Sequence, residues 1–542
     1  MNIIMGPRSS LLLGLLVLLI IGSLDTNESK KEEIPILKFD SNQFPDGFFW
    51  GVATSAYQTE GAANKSGRGP SIWDTFTHEY PERIDDGSNG DVAVDFYNLY
   101  KEDIRRMSKQ IGMNAFRFSI SWSRVIPSGR VREGVNEEGI EFYNNVIDEA
   151  INNGLEPFVT IFHWDVPQAL EDKYGGFLSP NIVDDFRDYA ELCYQRFGDR
   201  VKHWITLNEP FVFSTHSYES GSLAPGRCSP WVNRACQAGN SATEPYIVSH
   251  HLLLAHAAAV DIYKKQHLNG KIGITLDVTW TEPYSDSPAD RAAAQRNLDF
   301  IYGWFMDPLT YGQYPRTMQT LVPDRLPKFT RKQVRMLKGS YDFIGINSYT
   351  SSYASANATI DPDPTHIRYA TDSHVNLTKY KNDKPIGLQA SPSWLYIYPD
   401  GIRYILNYTK STYKDPIIYI TENGIGDGIN LSLEEARKDL QRIQYHEEHI
   451  WKVLRSICEF NVNVQGYFVW SFIDNMEWSS GYTIKMGLYQ VDRKNKLTRR
   501  PKLSVSWFKE FLKNKASIGG PKCTLLYKTQ TQEASSEDTE EL

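Results

Sequence analysis

Glu209 and Glu422 occupy matching settings. Each closes an apolar run, in Thr206-Leu207-Asn208-Glu209-Pro210 and in Ile420-Thr421-Glu422-Asn423-Gly424. The chain has 66 acidic residues, and the ordinary place for any one of them is a solvated surface. A charge at the end of a buried run is costly unless it is paired, so these two carboxyls stand apart from the rest. A pair of carboxyl groups on separate elements suits glycoside hydrolysis. One group protonates the leaving oxygen and the other faces the anomeric carbon. A sugar also requires flat aromatic faces and polar groups for its hydroxyls. Gln58 and Glu60, Arg117, His163-Trp164-Asp165, Asn347-Ser348-Tyr349, Asp474-Asn475 and Glu477-Trp478 supply both types.

These residues must be carried by elements that bring distant parts of the chain together. β-Branched and aromatic runs predict strands over Phe48–Ala53, Ala115–Ile120, Glu156–Phe162, His203–Leu207, Lys271–Val278, Phe343–Ile346, Ile417–Thr421 and Val464–Trp470. Between them lie helical patterns, including Glu137–Asn153 stopped by Gly154 and Asn181–Phe197 stopped by Gly198. Further helices are predicted over Ser432–Cys458 and Leu503–Leu512. Strands alternating with helices indicate parallel βα units, and eight such units close a barrel. The expected fold is therefore α/β, a single (β/α)8 TIM barrel with long loops on the C-terminal face of its strands. The spacers Asn208–Gln266 and Ser348–Asp415 are expected to be such loops. The polar set above then falls at strand C-terminal ends, where barrels of this kind place their chemistry.

Length and composition agree. The 542 residues are 41% hydrophobic and 23% charged, with a net charge of −8. This is a globular composition without a nucleic-acid footprint. Residues 1–23 are predicted to be a signal peptide, with Arg8 ahead of the apolar stretch Leu11–Ile21, and cleavage is expected near residues 22–27. The barrel domain is expected over 40–515. A C-terminal extension, 516–542, is acidic and expected to be disordered from about 529. Its last residues, Thr539-Glu540-Glu541-Leu542, share only their end with the K-D-E-L type of retention signal. Six N-x-S/T sequons, at Asn27, Asn64, Asn357, Asn376, Asn407 and Asn430, fit a secretory route to the apoplast or vacuole. Five cysteines leave at least one without an intramolecular partner. Cys228 and Cys236 suit a local disulfide, while Cys193 and Cys458, in apolar helical stretches, are expected to be buried thiols. No cysteine–histidine clustering suggests zinc. No nucleotide loop is present, and no cofactor is expected.

The motifs around both glutamates resemble the acid/base and nucleophile signatures of glycoside hydrolase family one. The resemblance runs from Phe48-Phe49-Trp50-Gly51-Val52-Ala53-Thr54-Ser55-Ala56-Tyr57-Gln58 through Trp470–Gly481 to Trp507. The segments Ala224-Pro225-Gly226-Arg227-Cys228 and Gly239-Asn240-Ser241-Ala242-Thr243-Glu244-Pro245-Tyr246 resemble plant members, among them hydrolases of cyanogenic, flavonoid and related defence glucosides. The resemblance implies a retaining β-glucosidase. Glu422 is the expected nucleophile and Glu209 the acid/base, with carboxyls about 5–5.5 Å apart. Arg117 and Asn347 are expected to orient the nucleophile and Tyr349 to hydrogen-bond it at the substrate. Gln58, His163, Asn208 and Glu477 are expected to bind sugar hydroxyls, Trp470 and Trp478 to stack or donate, and Trp394 to face the aglycone. His216, Leu223 and Ser479 fall at variable aglycone positions.

The sequence departs from the family where Gly-Tyr-x-x-Arg, an aromatic residue and Gly are usual. Here it has Gly481-Tyr482-Thr483-Ile484-Lys485-Met486-Gly487, and Met476 stands where Phe is common. A thioether fills space without a fixed stacking face. The expected partner is a small-molecule β-glucoside, with no nucleic acid, no membrane span after signal cleavage, and room for a homo-oligomer. Action on disaccharide glycosides and transfer of glucose to an alcohol use the same glycosyl-enzyme and remain alternatives. A non-catalytic sugar-binding protein is a more distant one. A thioglucosidase would not need the acid that Glu209 supplies.

Overall fold

The computed structural model describes residues 39–356, 365–427, 431–432, 434–513 and 523. The predicted signal peptide, Asn27, Asn357, Asn430 and the acidic tail lie outside them. Eight strands form a closed parallel barrel in sequential order: β1 (Phe49–Ala53), β2 (Ala115–Ser119), β3 (Glu156–Phe162), β4 (His203–Asn208), β5 (Lys271–Asp277), β6 (Phe343–Asn347), β7 (Ile417–Asn423) and β8 (Val464–Trp470). All eight fall where the periodicity places them, within a residue or two at each end. β8 closes the barrel on β1, with Phe49 opposite Gly466 and Ala53 opposite Trp470.

The interior is filled in layers. Ala115, Phe158, Ile205, Phe343, Tyr419 and Phe468, flanked by Phe49 and Ile417, form an apolar floor. Glycine makes room for these rings. A Cβ on Gly51 would lie 2.3 Å from the ring of Phe468, and one on Gly273 would lie 2.7 Å from the ring of Phe343. One step along the strands the interior turns polar. Arg117 and Thr421 follow the floor residues of β2 and β7, Thr275 follows Gly273 of β5, and Thr275 Oγ1 donates to Thr421 Oγ1 at 3.2 Å. The polar layer supports the mouth of the barrel.

The outer helices follow the expected amphipathic pattern. Asn181–Phe197 buries Ile182, Phe186, Tyr189, Ala190, Cys193 and Phe197, an i, i+4, i+7 stripe against the strands. The expectation of one helix from Ser432 is corrected. A short 3-10 turn covers Glu435–Arg437 and the long helix is Leu440–Phe460. Asp439 takes the N-cap position while its carboxylate binds Arg442 at 2.5 Å and accepts from Ser504 N at 2.9 Å. The two long spacers are also only partly loop. The first holds helices Pro210–Tyr218 and Glu244–Lys265, and the second holds strands Ser351–Ala356 and Val375–Thr378 and helix Asp400–Thr412. A crossover between parallel strands needs a helix of this kind.

Cys228 and Cys236 form the expected local disulfide, with Cα atoms 5.6 Å apart. Cys193 is free and buried. Cys458 is not a buried thiol. It lies near the end of helix Leu440–Phe460 and is bonded to Cys523, with Cα atoms 5.5 Å apart. Periodicity identified its helix but could not reveal a partner 65 residues away. No helix among the described residues is long and apolar enough to cross a membrane.

Candidate active site

Both glutamates sit just past an irregularity in their strands. On β4, Ile205 pairs with Gly273 but Asn208 pairs with Thr275, so β4 spends one extra residue. Ile205 belongs to the floor and Thr206 faces the helices, where its Oγ1 meets His256 Nδ1 at 2.6 Å. Strict alternation would turn Asn208 outward as well. The extra residue returns it to the interior. On β7, Ile420 pairs with Ile346 and Glu422 with Asn347, again with one residue to spare. Thr421 already faces inward, so the bulge also brings Glu422 to the mouth. Asn423 instead faces outward and donates to Ser348 O at 2.6 Å and Tyr445 OH at 2.9 Å. Bulges beside active sites re-aim side chains in this way.

Glu209 has φ +45, a left-handed conformation, and caps helix Pro210–Tyr218. This conformation costs a non-glycine residue on the order of 1–3 kcal/mol. It is held by Glu209 N donating to Thr275 O at 2.9 Å and by Asn347 Nδ2 donating to Oε1 at 2.6 Å. Burial pushes the Glu209 carboxyl well above the usual range, reinforced by the negative charges of Glu422 and Asp277. Glu422 lies in a different setting. Arg117 Nη1 donates to Oε1, and Tyr349 OH donates to Oε2 at 2.5 Å. Arg117 Nη2 also donates to Asn208 Oδ1 at 2.6 Å, tying the two strand ends together. Burial and like charge thus raise one carboxyl, while the other is held by a guanidinium and a phenol.

Both line one cavity of about 460 Å³, within the usual range for small-ligand sites. His163, Tyr349, Trp394, Trp470, Glu477 and Trp478 share its wall, as do His216, Leu223 and Ser479. Another cavity of about 530 Å³, lined from Tyr311 to Val334, has no carboxyl in its wall. Volume does not separate the two, but chemistry does. His163 Nδ1 is buried without a partner, and its Nε2 lies 3.2 Å from Asn208 Nδ2. Burial, and then Arg117, pushes its pKa far down, so the ring is neutral. Burial and the nearby Glu422 push Glu477 up to about 8. Trp478 packs against Trp164 and Trp73 at 4.6 and 4.7 Å between centroids. Trp394 is 51% exposed and meets Tyr349 edge-on at 6.1 Å.

Several expected residues are placed differently. Asn347 was expected to orient the nucleophile. Its amide instead reaches past β5 to the end of β4, donating to Glu209 Oε1 at 2.6 Å and Asn208 Oδ1 at 3.2 Å; its Oδ1 turns to β7, accepting from Thr421 at 2.7 Å. Gln58 and Asn208 are buried behind the wall. The Gln58 amide donates to Asn475 Oδ1 at 3.1 Å and Met476 O at 2.9 Å. Glu60 pairs with Arg124 at 2.8 Å and is not in the wall. Met486 is in the wall, packed with Ala53, Trp470 and Ile484, whereas the Lys485 carbonyl accepts from Arg442 at 2.9 Å. Motif reasoning missed Asp277, Thr279, Phe211, Val212, Thr350 and Pro392, which complete the wall. For Asp277 a signal was present, a lone acid inside the apolar run Ile272–Val278. Among the described residues no group of three or more His, Cys, Asp or Glu is placed to hold a metal.

Comparison with known proteins points the same way. Residues 40–517 match the profile described as Glycosyl hydrolase family 1. Beta-glucosidase 12 of Oryza sativa subsp. indica is 54% identical over 475 residues, covering 86% of this chain and 92% of that protein. Raucaffricine-O-beta-D-glucosidase of Rauvolfia serpentina is 52% identical over 493 residues, covering 87% and 91%. A rice β-glucosidase mutant, solved in a covalent complex with glucose from GA4GE, superposes with a TM-score of 0.86 at 48% identity. That match covers 88% of this chain and all of the rice chain.

Proposed function

The chain belongs to glycosyl hydrolase family 1 and is a retaining β-glucosidase; on that premise we propose that it hydrolyses β-D-glucosides of small plant secondary metabolites. In this reading the Glu422 carboxylate attacks the anomeric carbon while Glu209 gives its proton to the departing glycosidic oxygen. The C1–O bond to the aglycone breaks, and an ester bond to Glu422 forms. Glu209, now ionised, removes a proton from water, which displaces Glu422 and restores both carboxyls. The carrying observation is the unequal treatment of two carboxyls facing one cavity. Glu209 is kept protonated by burial and neighbouring charge, and Glu422 is gripped by Arg117 and Tyr349.

His163 and Glu477 bind sugar hydroxyls directly, Trp470 and Trp478 wall the sugar, and Trp394 meets the aglycone. Arg117 acts as a positioning residue for Glu422. Gln58 and Asn208 serve the sugar site from behind, by fixing Met476 and His163. The small-metabolite reading is supported by the apolar lining of Phe211, Val212, Leu223 and Trp394, and by the glucoside named for the Rauvolfia relative. The chain enters the secretory pathway through residues 1–23. Among the described sequons, Asn64 and Asn376 are exposed and are the sites that carry glycans. Asn407 lies within helix Asp400–Thr412 with Oδ1 buried and stays bare.

The test is turnover of an aryl β-D-glucoside with the product anomer followed by NMR, beside Glu422→Gly with and without azide. First release of β-glucose, and azide rescue of the variant as a glycosyl azide, are expected. First release of α-glucose, or no turnover by folded protein, overturns the reading. Enzymatic deglycosylation of the secreted protein should remove two glycans, on Asn64 and Asn376, from the described region.

A further inference from the structure

The inner face of β5 ends in a carboxyl that the reaction does not use. Gly273 and Thr275 point into the barrel, one under the Phe343 ring and the other bonded to Thr421. Alternation places Asp277 on the same face, one layer higher, in the cavity wall. It is partly exposed to the cavity, and its carboxyl accepts no hydrogen bond from the described residues. Its strand lies between β4, which delivers Glu209, and β6, which leads to Tyr349. Trp470 ends β8, and Glu477 and Trp478 follow it, three strands away around the closed barrel. Asp277 therefore stands on the acid's side of the mouth, where the leaving group departs, and away from the residues that wall the sugar.

The charge around the wall is one-sided. Its ionisable carboxyls are Glu209, Asp277, Glu422 and Glu477, and no lysine or arginine is among the lining residues. Arg117, just behind, is committed to Glu422 and Asn208. His163 and His216 are both held neutral by burial, and the Tyr349 hydroxyl already donates to Glu422. A ligand cation on this side meets carboxyl oxygens and nothing that repels it. A ligand carboxylate meets only like charge. Glu209 must keep its proton, so Asp277 is the one acid here free to pair.

We propose that Asp277 is a specificity-determining residue that selects β-glucosides whose aglycone carries a protonated amine. The proposal rests on the β-glucosidase reading and adds the charge of its aglycone. Burial and the Glu422 charge push Asp277 up to about 7. Its carboxylate therefore accumulates as pH rises through neutrality, and the preference for a cation grows in that direction.

The experiment compares kcat/KM for 4-(aminomethyl)phenyl and 4-(hydroxymethyl)phenyl β-D-glucoside, a cationic and neutral pair of similar shape, with wild type and Asp277→Asn. Taking the ratio within one protein cancels the ionisation of Glu209, Glu422 and Glu477, which both substrates need. The expected wild-type ratio is about tenfold in favour of the amine at pH 7.5, falling toward pH 5.5 and at 0.5 M salt. Asp277→Asn should bring it close to one. An equal ratio in both proteins overturns the proposal. If Asp277→Asn does not fold, a wild-type ratio unchanged by pH and salt overturns it instead. Failure of wild type to hydrolyse the neutral glucoside would sink the β-glucosidase reading, so the two failures are distinct.

Discussion

At the mouth of the barrel Glu209, Asp277, Glu422 and Glu477 have one nearby cation, Arg117. Behind the segments that follow β7 and β8, Asp427, Asp439 and Asp474 share two, Arg442 and Lys502. In the second group the pairs are close. Lys502 Nζ meets Asp427 at 2.5 Å and Asp474 at 2.8 Å, and Arg442 meets Asp427 at 2.6 Å and Asp439 at 2.5 Å. Asp439 also accepts from Ser504, and Asp474 Oδ1 from Gly487 N at 2.9 Å, while Asp474 Oδ2 is buried without a partner. Burial works to raise Asp427, but Arg442 and Lys502 outweigh it and hold it below the usual range. In the first group burial wins at Glu209, Asp277 and Glu477. At Asp474 burial still prevails over Lys502 and Arg442 and raises the carboxyl, so two cations neutralise this group only in part, whereas the mouth has a single one.

The comparison can be broken most sharply at its ends. Glu422→Gln should lower kcat by about 10⁴-fold or more, because the covalent step is lost, with no loss of thermal stability. An equal fall in Tm would mean that the mouth is structural after all. Lys502→Met should do the opposite. Leaving Asp427 and Asp474 face to face should cost about 3–5 kcal/mol of stability, read by denaturant unfolding, while kcat per folded molecule falls less than tenfold. Tyr349→Phe removes one charged hydrogen bond from Glu422 and should lower kcat/KM by about 10–100-fold.

The smallest effect is on pH dependence, and its sign follows from the donor role. Glu209 works while protonated, so activity persists below its raised pKa and is lost as pH rises through it. Asp277→Asn removes one of the anions that raise that pKa. The alkaline limb of kcat/KM for a neutral glucoside should then move to lower pH, by up to about one unit. A limb that stays in place would mean that burial and Glu422 alone hold the proton.

The two glutamates were legible as a candidate pair because a glutamate at the end of an apolar strand conflicts with its local pattern, and such conflicts mark function. The ion network was not. Asp427, Asp439, Arg442 and Lys502 are spread along the chain and look individually like surface charges, and Asp474 was read with the polar set expected for a sugar rather than as an ion-pair partner of Lys502. Asn347 was assigned to the wrong carboxyl for a related reason. Its position at the end of β6 was clear, but which neighbour its amide would face was not. Cys458 was misjudged because helical burial is local information and a disulfide partner is not.

The sequence alone determined the eight strands, their order and the two glutamates. Those follow from period-two apolar runs, helix stops and motif chemistry, all of which act over a few residues. Only the tertiary structure decided which way the functional side chains point. Each catalytic strand carries one residue more than its neighbour, and that extra residue turns Asn208 and Glu422 inward and Asn423 outward. A bulge is defined by pairing between strands, so no single strand's sequence contains it. The same holds for the charge balance of the mouth, because the number of cations near a carboxyl depends on which distant elements close around it.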